Sequence, residues 1–200
     1  MTLIANEIVQ APAFIGAVAA PYLFIADESP ADVGGRERLL DEAFGAARFE
    51  KTVERLRKGR VPALGLALVA KDGGDLVGSL RLWPIRAGRV PALLLGPLAV
   101  AKTHRSQGLG RRLMGEALFR AITAGHRAIL LVGDAPYYEP FGFSPRHTLG
   151  LSLPGPVNEA RFLGLELEDG ALCGAKGLVT AGRGFDVPAR RGTLEFRHAA

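Results

Sequence analysis

The stretch LLLGPLAVAKTHRSQGLGRR, residues 93–112, decides the fold that the rest of the chain is expected to support. Its first half is apolar almost without interruption, which is typical of a strand buried on both faces. Its second half carries Gly108 and Gly110 and then opens directly into a helical pattern. A glycine turn between a buried strand and a helix N-terminus leaves backbone N–H groups that can hold phosphate. The stretch is therefore the candidate binding site.

Composition limits the class of protein around this site. The 200 residues have room for one ordinary domain, and a hydrophobic content of 48% excludes a disordered chain. The single cysteine, Cys173, allows no intramolecular disulfide and no cysteine-rich metal site, so we predict no metal and a cytoplasmic location. The net charge is +5, but basic and acidic residues interleave over residues 36–60. That mixture favours a solvated helix face over a nucleic-acid surface, so we predict no nucleic-acid partner.

The N-terminal region is apolar over residues 8–25. No lysine or arginine precedes it, and Pro12, Gly16 and Pro21 interrupt it. Neither a signal peptide nor a membrane-spanning helix fits this pattern, so we predict no association with a membrane. We interpret residues 1–20 as an N-terminal extension.

Patterning along the chain predicts alternating strands and helices. Before the central stretch we expect a first strand over residues 22–27 and a helix that begins near Ser29 or Asp32 and ends at Gly45. A second helix over residues 48–58 follows, and then a hairpin whose strands, residues 64–71 and 75–85, flank the turn Asp72-Gly73-Gly74. After the central stretch we expect a helix over residues 109–124 and a strand over 128–132 that is parallel to the central strand. A helical turn over residues 136–141 and two further strands, over 148–153 and 161–167, complete the prediction. Residues 170–192 are rich in glycine, and their pattern predicts neither a helix nor a strand.

Two nucleotide-binding motifs fit the glycine loop poorly. A dinucleotide fingerprint needs a third glycine where Leu113 stands, and it belongs at a first strand. A P-loop reading of residues 96–103 is one residue short and has Ala101 where the second glycine must be. Both motifs are therefore disfavoured.

The spacing of Arg105, Gly108 and Gly110 resembles the Q/R-x-x-G-x-G/A acetyl-CoA loop of the GCN5-related N-acetyltransferases, the GNAT family. The segment YYEPFGF, residues 137–143, follows AILLVGD and looks like the GD-x-x-YY-x-x-FGF segment of a bacterial subgroup of that family. The resemblance implies an α/β (α+β) acyl-CoA N-acyltransferase fold, with a central mixed sheet of about six to seven strands flanked by helices. It implies an N-acetyltransferase domain over residues 21–150, with residues 151–200 forming C-terminal strands and an elaboration packed on the same domain.

The same resemblance implies a reaction and the residues that serve it. An acetyl group would pass from acetyl-CoA to a primary amine of a small molecule or protein, by direct attack in a ternary complex. Tyr138 would be the catalytic residue that protonates the leaving thiolate. The strand would pair with the pantetheine and present a backbone N–H near Val100 to the developing oxyanion, while the loop N–H groups would hold the pyrophosphate. The implied acetyl-CoA-binding residues are Leu98, Ala99, Val100, Arg105, Ser106, Gln107, Gly108, Leu109, Gly110 and Arg111.

Several points stay open at the level of sequence. The base that takes the amine proton is among Glu42, Asp134, Glu139, His104 and His147, or is a chain of waters. Asp134 is also expected to cap the short helix that follows it. Trp83 is expected to pack in the core. A catalytically inactive acyl-CoA-binding or regulatory domain is the alternative function, the acceptor is not predicted, and a homodimer is possible.

Overall fold

A mixed β-sheet organises the computed structural model, which describes residues 23–182. The strands are β1 (Phe24–Asp27), β2 (Ala67–Asp72), β3 (Asp75–Ala87), β4 (Val90–Val100), β5 (Ala128–Val132), β6 (Leu151–Ser152), β7 (Phe162–Glu166) and β8 (Gly177–Ala181). The α-helices are α1 (Val33–Phe44), α2 (Glu54–Arg57), α3 (Leu109–Thr123) and α4 (Ala135–Tyr138). The predicted extension over residues 1–20, and the part of residues 170–192 beyond residue 182, lie outside the described residues.

The strand order is β1-β2-β3-β4-β5-β7. All of these pairs are antiparallel except β4 with β5, which is parallel. The end of β3 also pairs with β8, which in turn pairs with β6. The predicted mixed sheet is thus confirmed, and within residues 23–182 it reaches eight strands because β8 pairs with β3 and β6 pairs with β8.

The parallel pair follows from the helix between its strands. Because α3 begins where the loop after β4 ends, β5 returns beside β4 in the same direction. The register joins Leu93 to Ile129 and Leu94 to Leu130. Among residues 23–182 no helix is long and apolar enough to cross a membrane.

Two apolar layers cover the opposite faces of the central strands. Leu93 and Leu95 pack in the layer that contains Leu113 of α3. Leu94 lies between them in sequence and packs in the other layer, with Trp83 and with Val53 beside α2. Since successive strand residues point to opposite faces, the unbroken apolar run of β4 serves both layers. Its predicted burial on both faces is confirmed.

The second predicted helix, over residues 48–58, is wrong as a continuous element. Residues Ala46–Glu50 form a short 3₁₀ turn, Lys51 is extended with ψ 137°, and only the single turn of α2 follows. The Thr52 hydroxyl donates to the Pro156 carbonyl at 2.7 Å, and the Arg55 guanidinium donates to the Pro154 carbonyl at 2.6 Å. These contacts with a distant segment compete with the local helix pattern.

Candidate active site

A cleft opens where β4 and β5 separate. The two strands pair only at Leu93–Leu94 and Ile129–Leu130, whereas β3 continues beside β4 as far as Val100. The register between β3 and β4 shifts opposite Gly96 and Pro97, because Leu82 pairs with Leu95 but Leu80 pairs with Leu98. Pro97 has no N–H and is suited to such an irregularity. The resulting cleft has a volume of about 810 Å³ and is lined by β4, the loop after it, α2 and α4.

Trp83 fixes the irregular point in β4. Its ring is buried, as expected, and its Nε1 donates a hydrogen bond to the Gly96 carbonyl oxygen at 2.6 Å. No residue pattern predicts this polar role, because the partner is a backbone carbonyl on the neighbouring strand. The hydrogen bond satisfies a buried carbonyl where the strand ladder is interrupted.

The last residues of β4 present backbone groups to the cleft. The Ala101 N–H donates to the Val77 carbonyl at 2.8 Å, so the backbone groups of Ala99 also point toward β3. Leu98 and Val100 alternate with them and point their N–H and carbonyl groups to the opposite side, into the cleft. The Val100 carbonyl accepts a hydrogen bond from the Arg105 Nε at 3.1 Å. The N–H groups of Leu98 and Val100 therefore face the space between β4 and β5.

The loop before α3 turns successive N–H groups outward. Ser106 and Gly108 both adopt left-handed backbone conformations, with φ +61° and +79°. The first hydrogen bond at the start of the helix runs from the Arg112 N–H to the Gly108 carbonyl, at 3.0 Å. Within residues 23–182, the N–H groups of residues 106–111 have no backbone acceptor. This curl, with the positive end of the dipole of α3 behind it, is suited to an anion.

Gly110 allows close contact between α3 and α4. A Cβ atom at this position would lie 2.6 Å from the Tyr137 Oη and 3.8 Å from both the Tyr137 Cζ and the Val100 Cγ2. Such a distance to the hydroxyl is shorter than van der Waals contact permits. The second glycine of the loop motif thus has a steric reason that the sequence pattern does not reveal.

Tyr138 lines the same cleft as Leu98 and Val100. Its ring contacts those of Tyr137 and Phe143 edge-on, with centroids 4.9 and 5.9 Å apart. Gly133 makes room for it, because a Cβ there would lie 2.2 Å from the Tyr138 ring. Burial, with smaller effects from Tyr137 and Asp134, raises the Tyr138 pKa to about 12. The hydroxyl, protonated at neutral pH in any ordinary tyrosine, therefore keeps its proton to higher pH and can serve as a donor.

Only some of the candidate bases predicted from the sequence lie at the cleft. Asp134 and His104 line the cleft, whereas Glu42, Glu139 and His147 do not. His104 lies at the loop, where its Nε2 is 3.0 Å from Asp72 Oδ2. Asp134 is the residue that precedes α4, but the prediction that its side chain caps the helix is wrong. Its carboxylate instead pairs with the Arg161 guanidinium at 3.1 Å.

Glu54 is a further carboxylate of the cleft that sequence reasoning missed. It belongs to α2, in the segment predicted as a regular surface helix. The break at Lys51 alters which side chains this segment turns inward. Among the described residues, no group of three or more histidine, cysteine, aspartate or glutamate side chains could hold a metal ion.

Comparisons with known proteins agree with this geometry. Residues 63–145 match the model of an acetyltransferase (GNAT) domain. The chain is 34% identical, over 161 residues, to the uncharacterized N-acetyltransferase YhbS of Escherichia coli K12. That alignment covers 78% of this chain and 95% of the relative.

Solved structures with ligands are also similar. The E. coli YhbS structure in complex with CoA has a TM-score of 0.70 and 31% identity, and the match covers 85% of this chain and 95% of that one. A GNAT family acetyltransferase from Brucella melitensis in complex with acetyl-CoA has a TM-score of 0.60 and 26% identity, covering 82% and 99%. Each of the two matches covers more than four fifths of this chain.

Proposed function

Because the chain belongs to the GNAT family of N-acetyltransferases, we propose that it transfers the acetyl group of acetyl-CoA to a primary amine by direct attack in a ternary complex. The observation that carries this proposal is the opening between β4 and β5 directly beside the N–H groups of residues 106–111. Two similar structures have CoA or acetyl-CoA bound, which supports this choice of donor. A cytoplasmic location would give access to that donor.

The loop and strand provide complementary parts of a donor site. The N–H groups of Ser106, Gln107, Gly108, Leu109, Gly110 and Arg111 would hold the pyrophosphate. Leu98 and Val100 would pair with the amides of the pantetheine as an added strand does. Ala99 would contribute by fixing β4, since its side chain packs against Leu39 and Leu40 of α1. Arg105 would hold the end of β4 through the Val100 carbonyl.

The reaction would begin with attack of the neutral amine on the thioester carbonyl. The carbonyl oxygen gains negative charge as the new C–N bond forms, and a cleft-facing backbone N–H of β4 near Val100 can donate to it. A donor already aimed at such an oxygen contributes about 3 kcal/mol. The tetrahedral intermediate then breaks its C–S bond and leaves an amide.

Tyr138 would supply the proton for the departing sulfur. The phenol is neutral at physiological pH, burial extends the neutral form to higher pH by raising the pKa, and the ring lines the same cleft as the backbone of β4. Proton transfer gives free CoA thiol and a tyrosinate that solvent reprotonates. The proton lost by the amine would pass to Glu54 or Asp134, directly or through water, since these carboxylates line the cleft.

The proposal is tested by calorimetric titration with acetyl-CoA, followed by measurement of thiol release with a panel of primary amines. Micromolar binding and amine-dependent thiol release are expected. Initial-rate lines that intersect indicate a ternary complex, whereas parallel lines indicate a covalent acetyl-enzyme and contradict direct attack. Tight binding without turnover of any amine would instead favour an acyl-CoA-binding or regulatory domain.

A further inference from the structure

Arg57 is a buried cation without a close acidic partner. Its side chain is only 9% exposed, and it lines the cleft. Glu54 Oε2 lies 3.8 Å from its Nε, and that nitrogen donates a long hydrogen bond to the Val53 carbonyl at 3.4 Å. Within residues 23–182, its two terminal nitrogens have no hydrogen-bond partner. A buried charge with such weak pairing is costly, and its burial lowers the Arg57 pKa.

Two more cations stand beside Arg57. Lys51 Nζ lies 4.5 Å from the centre of the Phe44 ring and has no carboxylate partner in the part of the chain that the structure describes. Partial desolvation in the cleft, followed by the charges of Arg57 and Arg161, holds the Lys51 pKa below its usual value. In residues 23–182 the only acidic partner of Arg161 is Asp134, and both side chains are exposed. We call Lys51, Arg57 and Arg161 the cationic cluster.

Another cleft cation, Arg48, shows how a structural charge is paired in this protein. Its guanidinium forms ion pairs with Glu37 and, at 2.9 Å, with Asp41. Those contacts fix the turn after α1. The cationic cluster lacks pairing of this quality, which points to a ligand as its missing partner.

The cationic cluster and the loop before α3 lie on opposite faces of the sheet. Leu113 of α3 packs in the layer of Leu93 and Leu95. Val53 and Leu56, which lie between Lys51 and Arg57 in the chain, pack in the other layer with Leu94. If the loop N–H groups of residues 106–111 hold the pyrophosphate of acetyl-CoA, its thioester would reach the opposite face of the sheet through the opening between β4 and β5. The cluster is then on the face from which the acceptor approaches.

We propose that the cationic cluster binds an acidic group of the acceptor, so that the substrate is a small primary amine carrying a carboxylate or a phosphate. This inference rests on the proposed acetyltransferase function. Glu54 and Asp134 stand next to the cluster, and the mixture of charges matches a molecule with both an amine and an anionic group. The nearby positive charges also disfavour the ammonium form of the acceptor and so favour the nucleophilic free amine.

The test uses pairs of acceptors that differ only in charge. β-Alanine is compared with β-alaninamide, and O-phosphoethanolamine with ethanolamine, by measuring kcat/KM at saturating acetyl-CoA. In at least one pair, the kcat/KM of the anionic amine is expected to exceed that of its uncharged counterpart by about tenfold or more, because an amine without the anionic group leaves the cations of the cluster unpaired. Whichever pair shows the preference identifies the acidic group as carboxylate or phosphate.

Variants assign the preference to the cluster. Lys51→Met and Arg57→Gln are expected to raise the KM of the anionic acceptor about tenfold and to leave the KM of acetyl-CoA unchanged. Arg57→Lys should restore part of the loss. Lys58→Met is the matched control, since Lys58 is exposed, adjacent to α2 and outside the cleft lining. Lys51 is itself exposed, so its variant remains informative if Arg57→Gln fails to fold.

Equal use of charged and uncharged amines would overturn the inference while leaving the acetyltransferase function intact. A rise in the KM of acetyl-CoA in Lys51→Met, with no change in the charge preference, would assign the cluster to the donor and would also overturn it. Binding of acetyl-CoA without acetylation of any amine would instead refute the proposed function itself. The outcomes are therefore distinguishable.

Discussion

The Trp83 Nε1 donates a hydrogen bond to the Gly96 carbonyl oxygen, 2.6 Å away, at the point where β4 leaves β5. One buried polar contact thus holds the irregularity that opens the cleft. The strand residues beyond it, Leu98 and Val100, keep their antiparallel pairing with β3, while no strand of the described region pairs with their other side. The indole couples the stability of the sheet to the shape of the proposed donor site.

Trp83→Phe should therefore affect both stability and donor binding. The smaller ring keeps most of the apolar packing, but the buried Gly96 carbonyl loses its donor, which costs about 1–2 kcal/mol of unfolding free energy. The dissociation constant of CoA is expected to rise several-fold, because the end of β4 is less well held. Urea unfolding and calorimetry measure the two effects. Leu94→Val is the control, since it loses packing in the same layer and should lower stability without altering affinity.

Gly110→Ala tests the contact between α3 and α4. The added methyl group would meet the Tyr137 Oη at 2.6 Å, so the loop or α4 must shift and CoA affinity should fall by about tenfold. The next ring atom, Cζ, is 3.8 Å away, so removal of the hydroxyl should relieve the clash. The double variant Gly110→Ala/Tyr137→Phe is therefore expected to regain most of the affinity of Tyr137→Phe alone. Absence of this rescue in calorimetric titrations would mean that the glycine is needed for another reason.

Much of the fold was accessible from sequence because its signals are local. The apolar run of β4, the glycine loop and the amphipathic α3 lie next to one another in the chain, and together they predict the parallel return of β5. The segment containing Glu54 and Arg57 was misread, since Thr52 contacts a carbonyl 104 residues away. The hydrogen bond of Trp83 also depends on strand register, which residue patterns do not specify. The cationic cluster was therefore beyond sequence reasoning.

Asp32 provides a test of stability against pH. Hydrogen bonds from Lys71 and Ser29 lower its pKa from 3.8 to about 2. A lowered pKa means that the native state favours the carboxylate, so the contribution is present above pH 4 and is lost as the pH falls through 2. Asp32→Asn should cost roughly 1–2 kcal/mol at pH 7. Urea unfolding at several pH values should show the difference from wild type shrinking between pH 4 and 2; a constant difference would contradict an electrostatic origin.

Tyr138→Phe separates chemistry from binding at the proposed site. The variant keeps the ring contacts with Tyr137 and Phe143 but loses the proton donor, so kcat should fall by about 10²-fold. Calorimetry should show an unchanged dissociation constant for acetyl-CoA, since the hydroxyl is assigned to the leaving thiolate alone. The Tyr138 pKa of about 12 also means that the active, protonated form persists until the pH approaches that value. Up to pH 10, the wild-type rate should therefore show no decline caused by deprotonation of Tyr138. An unaltered kcat in Tyr138→Phe would remove this residue from the mechanism.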